Sequence, residues 1–152
     1  MLPETFMRLA AALLSCAILG VVNPVHAQDS QAPTAASTQD VAGATQAAER
    51  WLALLDADKV EKSWSAAAAS VRSVAQQKPF VDMMRGVRAP FGAAGSRTLV
   101  GAQYTRSLPG APSGEYVVIQ YRTAFANKEG VETVTPVREA DGVWRVSGYY
   151  LK

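Results

Sequence analysis

Histidine and cysteine are nearly absent from this chain, which contains one of each, His26 and Cys16. Both lie in an N-terminal stretch that we expect to be removed. A mature domain without these residues has no Ser-His-Asp triad, no cysteine nucleophile, no haem histidine and no typical zinc site. It also has no disulfide, so an ordinary hydrophobic core must stabilise it. We therefore expect no catalytic residue of these types, no cofactor and no metal.

The first 27 residues have the pattern of a cleaved secretory signal peptide. A short n-region with Arg8 precedes the apolar run 9–22, and Val25-His26-Ala27 is a suitable cleavage site. About 14 apolar residues are too few to cross a bilayer, which needs roughly 20. Cys16 lies inside this run and is followed by more hydrophobic residues, so we do not expect lipidation there. The sequence predicts a periplasmic or secreted protein with no membrane span after cleavage at Ala27.

Positive and negative charges are nearly balanced, with 15 Lys and Arg against 13 Asp and Glu. They are interspersed along the chain and form no basic stripe, so we expect no nucleic-acid partner. The sequence also lacks a dinucleotide-binding glycine motif, a P-loop, an EF-hand loop and internal repeats.

The chain divides into a signal peptide (1–27), a flexible polar tether (28–39) and a single domain (40–152). The tether contains no large apolar residue and cannot contribute to a core. From Asp40 the apolar residues recur at helical spacing and predict a first helix. Its predicted buried face consists of Ala44, Ala47, Ala48, Trp51, Leu54 and Leu55.

Two further helices are predicted before the strands. Asp58 and Glu61 resemble a capping box, which would open one continuous second helix with Val71 and either Val74 or Ala75 facing inward. A third helix begins near Pro79 and ends before Pro90.

After Gly95 the apolar pattern changes to the period of two that is typical of strands. Four segments rich in β-branched and aromatic residues follow, at 97–104, 115–125, 131–137 and 143–151. Leu108-Pro109-Gly110 fits a type II turn, and short turns near Gly130 and Gly142 predict that the last three strands form a meander. The expected fold class is α+β, with about three N-terminal helices on one face of a four-stranded antiparallel sheet.

Several segments together carry a family resemblance. They are Trp51-Leu52-Ala53-Leu54-Leu55-Asp56, Ser63-Trp64, Val87-Arg88-Ala89-Pro90-Phe91-Gly92 with Arg97, Leu108-Pro109-Gly110-Ala111-Pro112-Ser113-Gly114-Glu115-Tyr116, Glu132-Thr133-Val134, and Trp144-Arg145-Val146-Ser147-Gly148-Tyr149-Tyr150. Over about residues 44–152 the chain resembles the exported bacterial proteins known as domain of unknown function 4019. The resemblance implies export and a layout similar to the cystatin-like and nuclear-transport-factor-2-like cones. It provides no activity or site residues, and fold alone does not transfer function.

Three arginines are candidates for binding an anion: Arg85 and Arg88, which share a helical face, and Arg97. A guanidinium can bind a carboxylate or phosphate through two parallel hydrogen bonds. The simpler interpretation is that they are solvated or form weak surface ion pairs. The acidic partners considered for such pairs are Glu49, Asp82 and Glu115.

Glu115 and Glu132 are the best candidates for acid-base chemistry, because each lies in a strand and could face a pocket. Neither face of the second or third strand is cleanly apolar, so alternation does not decide which face meets the helices. We expect each glutamate to pair with an arginine across exposed strands.

The predicted sheet is rich in aromatic residues, and Tyr121, Trp144 and Tyr149 are our candidates for lining a ligand site. Packing within the core is the alternative role for each of them. The function that we favour is a noncatalytic periplasmic module that binds a protein, which predicts an exposed aromatic patch on the sheet. The alternatives are a carrier with an apolar pocket for an unidentified small ligand, and a cofactor-independent isomerase with a buried Glu beside a Tyr hydroxyl.

Overall fold

The structure is a computed structural model that describes residues 35–152, so the predicted signal peptide and residues 28–34 of the predicted tether lie outside the described residues. Four helices precede four strands: α1 Ala35–Asp56, α2 Val60–Ala66, α3 Ala69–Val74, α4 Gln77–Arg88, β1 Ala94–Thr105, β2 Glu115–Phe125, β3 Glu129–Arg138 and β4 Trp144–Leu151. The α+β class is confirmed, with four helices where about three were expected. None of the described helices is both long and apolar enough to cross a bilayer.

Helix α1 begins at Ala35 rather than at Asp40, so residues 35–39 of the predicted tether are helical. Alanine has the highest helix propensity, which explains how this polar, alanine-containing stretch continues the helix. Of the predicted apolar face of α1, Ala44, Ala48, Trp51 and Leu55 lie in the main core, whereas Leu54 is only half-buried. Leu52, which was not predicted to be buried, is fully enclosed.

The predicted continuous second helix is wrong, because the chain forms α2 and α3 with a break at Ala67 and Ala68. Both residues have extended backbone dihedrals, and the Ala68 amide donates to the Val146 carbonyl of β4 at 2.8 Å. This bond to the sheet overrides the helix propensity of alanine. The capping box is also wrong: Asp58 has a φ of +53°, and Lys59 is the residue that precedes α2.

Helix α4 begins at Gln77 and ends at Arg88, immediately before Ala89-Pro90, where the sequence predicted its end. Its buried side is formed by Phe80, Val81 and Met84.

The four strands form one antiparallel sheet in the order β1-β2-β3-β4, so the meander predicted for the last three strands includes all four. The Ala111 amide donates to the Leu108 carbonyl at 3.2 Å, and Gly110 has a φ of +76°, which confirms the type II turn. The pairing of β1 with β2 shifts register twice, between Ala94 and Arg97 and between Leu99 and Gly101.

The sheet face that meets the helices is the one that carries Glu132 and Val134 in β3. Burial alternates along β2, and the enclosed residues from Val117 to Phe125 are the odd-numbered ones. The main core lies between this face, α1 and α4. A smaller core of Phe91, Phe125 and Leu151 lies at one end of it.

Candidate functional site

Glu132 is fully buried, with 0% of its surface exposed. The expectation that it forms an exposed cross-strand pair is therefore wrong. In β3 it shares a face with Val134 and Pro136, and this face lies beneath the helices. An unpaired buried carboxylate is very costly, so its partners decide what it can do.

Four side chains donate to the Glu132 carboxylate. Oε1 accepts from the Tyr149 hydroxyl at 2.7 Å and from Arg88 Nη1 at 3.3 Å. Oε2 accepts from Arg97 Nε at 2.7 Å and from Thr123 Oγ1 at 2.5 Å. An ionised carboxylate has about four acceptor positions, so these bonds fill its capacity.

Asp56, the last residue of α1, closes the arrangement from the helix side. Its Oδ1 lies 2.5 Å from Arg88 Nη2, and its Oδ2 lies 3.0 Å from Arg97 Nη1. Two guanidinium groups and two carboxylates therefore form a closed, electrically neutral set. We call Asp56, Arg88, Arg97, Thr123, Glu132 and Tyr149 the Glu132 cluster.

Sequence reasoning missed Asp56, although one signal was present. An acidic residue at the C-terminal end of a helix is unfavourable next to the helix dipole and indicates a compensating partner. It also missed Thr123, whose hydroxyl has no distinguishing pattern within a strand.

Burial and charge fix the protonation of the donors in this cluster. Burial lowers the pKa of Arg97, but its hydrogen bonds to Asp56 and Glu132 outweigh that effect, and the pKa is raised above its ordinary value. Burial, followed by the nearby Glu132 charge, raises the pKa of Tyr149 well above 10. At neutral pH both groups therefore keep the protons that they donate.

Of the three predicted anion-binding arginines, two belong to the Glu132 cluster and one lies outside it. Arg88 and Arg97 do bind carboxylates, but these belong to the protein itself. Arg85 lies apart from them, is about half exposed, and pairs with Asp58 at 3.5 Å and Glu61 at 3.3 Å. None of the three pairs with the partners that we expected, Glu49, Asp82 or Glu115.

The other predicted site residues also lie apart from the cluster or beside it. Glu115 pairs with Arg138 across β2 and β3 at 3.6 Å and accepts from the Tyr104 hydroxyl, as its expected cross-strand role required. Tyr121 is buried next to Glu132 in the sheet, and its hydroxyl has no hydrogen-bond partner among residues 35–152. Burial, then the charge of Glu49, raises its pKa to about 12.

An apolar cleft of about 220 Å³, which we call the α3 cleft, lies between α3, α4 and β4. Its lining includes Trp51, Ala67, Val71, Val74, Ala75, Phe80, Met83, Met84, Val146 and Tyr149. Val74 and Met83 are 86% and 51% exposed. Of the two residues considered for the inward position at the end of this segment, Ala75 packs against the main core and Val74 is exposed.

Tyr149 belongs to both the Glu132 cluster and the α3 cleft. Its ring lines the α3 cleft and lies 5.5 Å from the Trp51 ring at an angle of 54°, while its hydroxyl donates to Glu132. The Glu132 cluster therefore holds in place Tyr149, one of the residues that line the α3 cleft.

The outer face of the sheet does not carry the expected aromatic patch. Within residues 35–152, Tyr150 is the one strongly exposed aromatic side chain. The described residues also contain no group of three or more His, Cys, Asp or Glu side chains arranged to hold a metal ion.

Comparison with known proteins places the chain by family. No curated protein and no solved structure matches it. A family model described as protein of unknown function (DUF4019) matches residues 47–149, a range that contains the Glu132 cluster and the α3 cleft. The family resemblance is thus confirmed: the chain belongs to the DUF4019 family.

Proposed function

We propose that this protein is a noncatalytic binding module of the periplasm that receives one apolar side chain of a partner polypeptide in the α3 cleft. The periplasmic location rests on the signal-peptide pattern of the first 27 residues. The observation that carries the binding proposal is the cleft itself, which is apolar, open to solvent and bordered by exposed Val74 and Met83.

The volume of the α3 cleft favours a side chain over a larger ligand. Sites for small molecules usually measure about 300–1,000 Å³. A dry cavity of about 150 Å³ can hold benzene. At about 220 Å³ the cleft fits one aromatic ring or one branched alkyl group. A partner would cover the apolar rim while it inserted such a group, as anchor residues do in protein interfaces.

The walls of the cleft can adapt to its occupant. Met83 and Met84 are unbranched and polarisable, so they adjust to different apolar shapes. Helix α3 forms one wall, and none of its six residues is buried. It is fastened at its two ends, by the Ala68 amide to Val146 and by the Trp64 indole N–H, which donates to the Ala75 carbonyl at 2.8 Å.

The Glu132 cluster supports a structural role in preference to catalysis. A buried glutamate beside a tyrosine hydroxyl is what an isomerase would need. Here, however, the four acceptor positions of Glu132 are filled and the Tyr149 proton is donated to it. A general base needs a free acceptor position for the proton that it removes.

The second candidate function is a carrier of a compact apolar ligand, which the α3 cleft would also fit.

The test is site-specific photocrosslinking in the native periplasm. A benzophenone amino acid at Val74 should crosslink one partner, whereas the same probe at exposed Tyr150 should not. Met83→Glu should abolish the Val74 crosslink, because a charge at the rim opposes insertion of an apolar group. Equal crosslinking from both positions, or a Val74 crosslink that survives Met83→Glu, would contradict the proposal. A small bound mass in native mass spectrometry would instead favour the carrier.

A further inference from the structure

A second concave region, the α1–β4 groove, lies between α1, the end of α2 and the start of β4. Its volume is about 350 Å³, within the range of about 300–1,000 Å³ for small-molecule sites. Ala47, Leu54, Ala66, Val143 and Val146 supply apolar lining. Arg50 and Trp144 bring two polar groups to the same groove.

Arg50 is the cation of the groove that matters for ligand binding. In the described part of the chain it has no ion pair and no side-chain hydrogen bond. The other arginine of the groove, Arg145, is already engaged by Glu139 at 2.6 Å and Asp141 at 2.8 Å. Arg50 is therefore the charge in this groove that remains available to a ligand.

Trp144 differs from the other two tryptophans in its indole N–H. The indole N–H of Trp51 donates to the Ser63 carbonyl at 2.9 Å, and that of Trp64 donates to Ala75 at 2.8 Å. The N–H of Trp144 has no such acceptor among residues 35–152. Its edge lies against Gly43 of α1, where an added Cβ would be 3.4 Å from Nε1.

Arg50 and Trp144 can act on the same ligand. Gly43, Ala47 and Arg50 follow one another along one side of α1 at steps of four and three residues. Helical side chains generally lean toward the N-terminus of their helix, and Arg50 and Trp144 both line the groove, so we expect one ligand to reach both groups.

We propose that the α1–β4 groove binds a small carboxylic acid with an apolar body. Arg50 would bind the carboxylate, the Trp144 N–H would be a second donor, and Leu54 and Val143 would contact the body. A charge-assisted bond to a guanidinium is among the stronger hydrogen bonds in proteins. Trp51 and Val146 line both this groove and the α3 cleft, but the rim residues of the cleft, Val74 and Met83, do not line the groove, so the two sites can be tested separately.

The test is a calorimetric titration of the domain with phenylacetate and with its neutral amide, 2-phenylacetamide. We expect saturable binding of phenylacetate and at least tenfold weaker binding of the amide. Arg50→Gln should weaken phenylacetate binding by about tenfold or more. Arg122→Gln is the matched control, since Arg122 is exposed and has no ion pair among the described residues.

Ala66→Leu tests whether the groove holds the apolar body. Ala66 is exposed and ends α2, so a larger side chain there fills the groove without disturbing the core. The proposal fails if wild type shows no saturable binding, if Arg122→Gln weakens binding as much as Arg50→Gln, or if Ala66→Leu has no effect. Met83→Glu should leave phenylacetate binding unchanged, which separates this site from the α3 cleft.

The same chemistry occurs at the C-terminus of a peptide that ends in phenylalanine, so N-acetyl-Ala-Phe is titrated in parallel. Tighter binding of this peptide than of phenylacetate would support the site and assign a chain terminus as its ligand. Equal or weaker binding of the peptide would support a free acid.

Discussion

The two ends of the helix–sheet interface differ in how completely their side chains are paired and covered. At the closed end, around Glu132 and the small core of Phe91, Phe125 and Leu151, Glu132 is ion-paired with Arg88 and Arg97 and the apolar rings are covered. At the open end, around the α3 cleft, Val74 and Met83 remain exposed. Tyr149 lies between the two ends and contributes to both.

This difference separates stability from binding. A buried polar set contributes to a unique structure only when all of its members are satisfied, and the Glu132 cluster meets that condition. Exposed apolar side chains contribute little to stability and are available to a partner. The following predictions test whether the two ends divide these roles.

The largest effect is expected at the closed end, from Glu132→Gln. The substitution removes one of two carboxylates and leaves a positive charge without compensation beside the core. Breaking a buried ion pair typically costs about 3–5 kcal/mol, which should appear in the free energy of unfolding by urea. Glu115→Gln is the control: its side chain is 30% exposed, so we expect a loss below about 1 kcal/mol. Equal losses would remove the distinction between these two glutamates.

The second prediction compares two buried tyrosine hydroxyls. Tyr149→Phe removes a donor to a charged acceptor and should lower the free energy of unfolding by about 1.5–3 kcal/mol. Tyr121→Phe removes a hydroxyl that has no partner, so it should be neutral or stabilising. Thermal and urea unfolding of both variants measure the difference. A larger loss for Tyr121→Phe would show that its hydroxyl has an ordered partner.

The third prediction compares two glycines. A Cβ at Gly130 would lie 2.8 Å from Leu151 Cδ1 and 2.9 Å from Phe91 Cε1. Gly130→Ala should therefore destabilise the small core by about 1–3 kcal/mol. Gly86 in α4 has no neighbour within 4 Å of such a Cβ, so Gly86→Ala should stabilise the helix by about 0.5–1 kcal/mol. Urea midpoints that move in the same direction for both variants would contradict the difference in packing between these two glycines.

The smallest effect is expected at the open end, from Val74→Ser. Because Val74 is 86% exposed, its replacement should change the free energy of unfolding by less than about 0.5 kcal/mol. A loss above about 1 kcal/mol would mean that the rim contributes to the fold rather than to binding.

The strands could be predicted from the sequence because their signals are local. Period-two alternation located β2 and β4 to within one residue, and Pro109-Gly110 specified the turn between β1 and β2. The helix break could not be predicted in this way, since the residues at the break are alanines. The bond from Ala68 to Val146 that opens it joins positions far apart in the chain.

The site was predicted only in part. Arg88, Arg97, Glu132 and Tyr149 were all candidates, but no sequence pattern indicated that they bind one another. Strand alternation assigned Glu132 to one face of the sheet but did not show which face the helices cover. The covered face depends on how α1 and α4 pack on the sheet. Asp56 became visible as a partner only once α1 was placed above β3.

The register shifts in β1 bear on how this protein behaves in a crowded compartment. β1 is one outer strand of the sheet, and its exposed Leu99 and Val100 could otherwise template pairing with a second copy. Bulges bend and twist an outer strand, which makes it a poor template for continued β-pairing. At the other margin, the Ala68 amide already occupies the Val146 carbonyl of β4. Each margin of the sheet thus carries a feature that opposes continued β-pairing with a second copy.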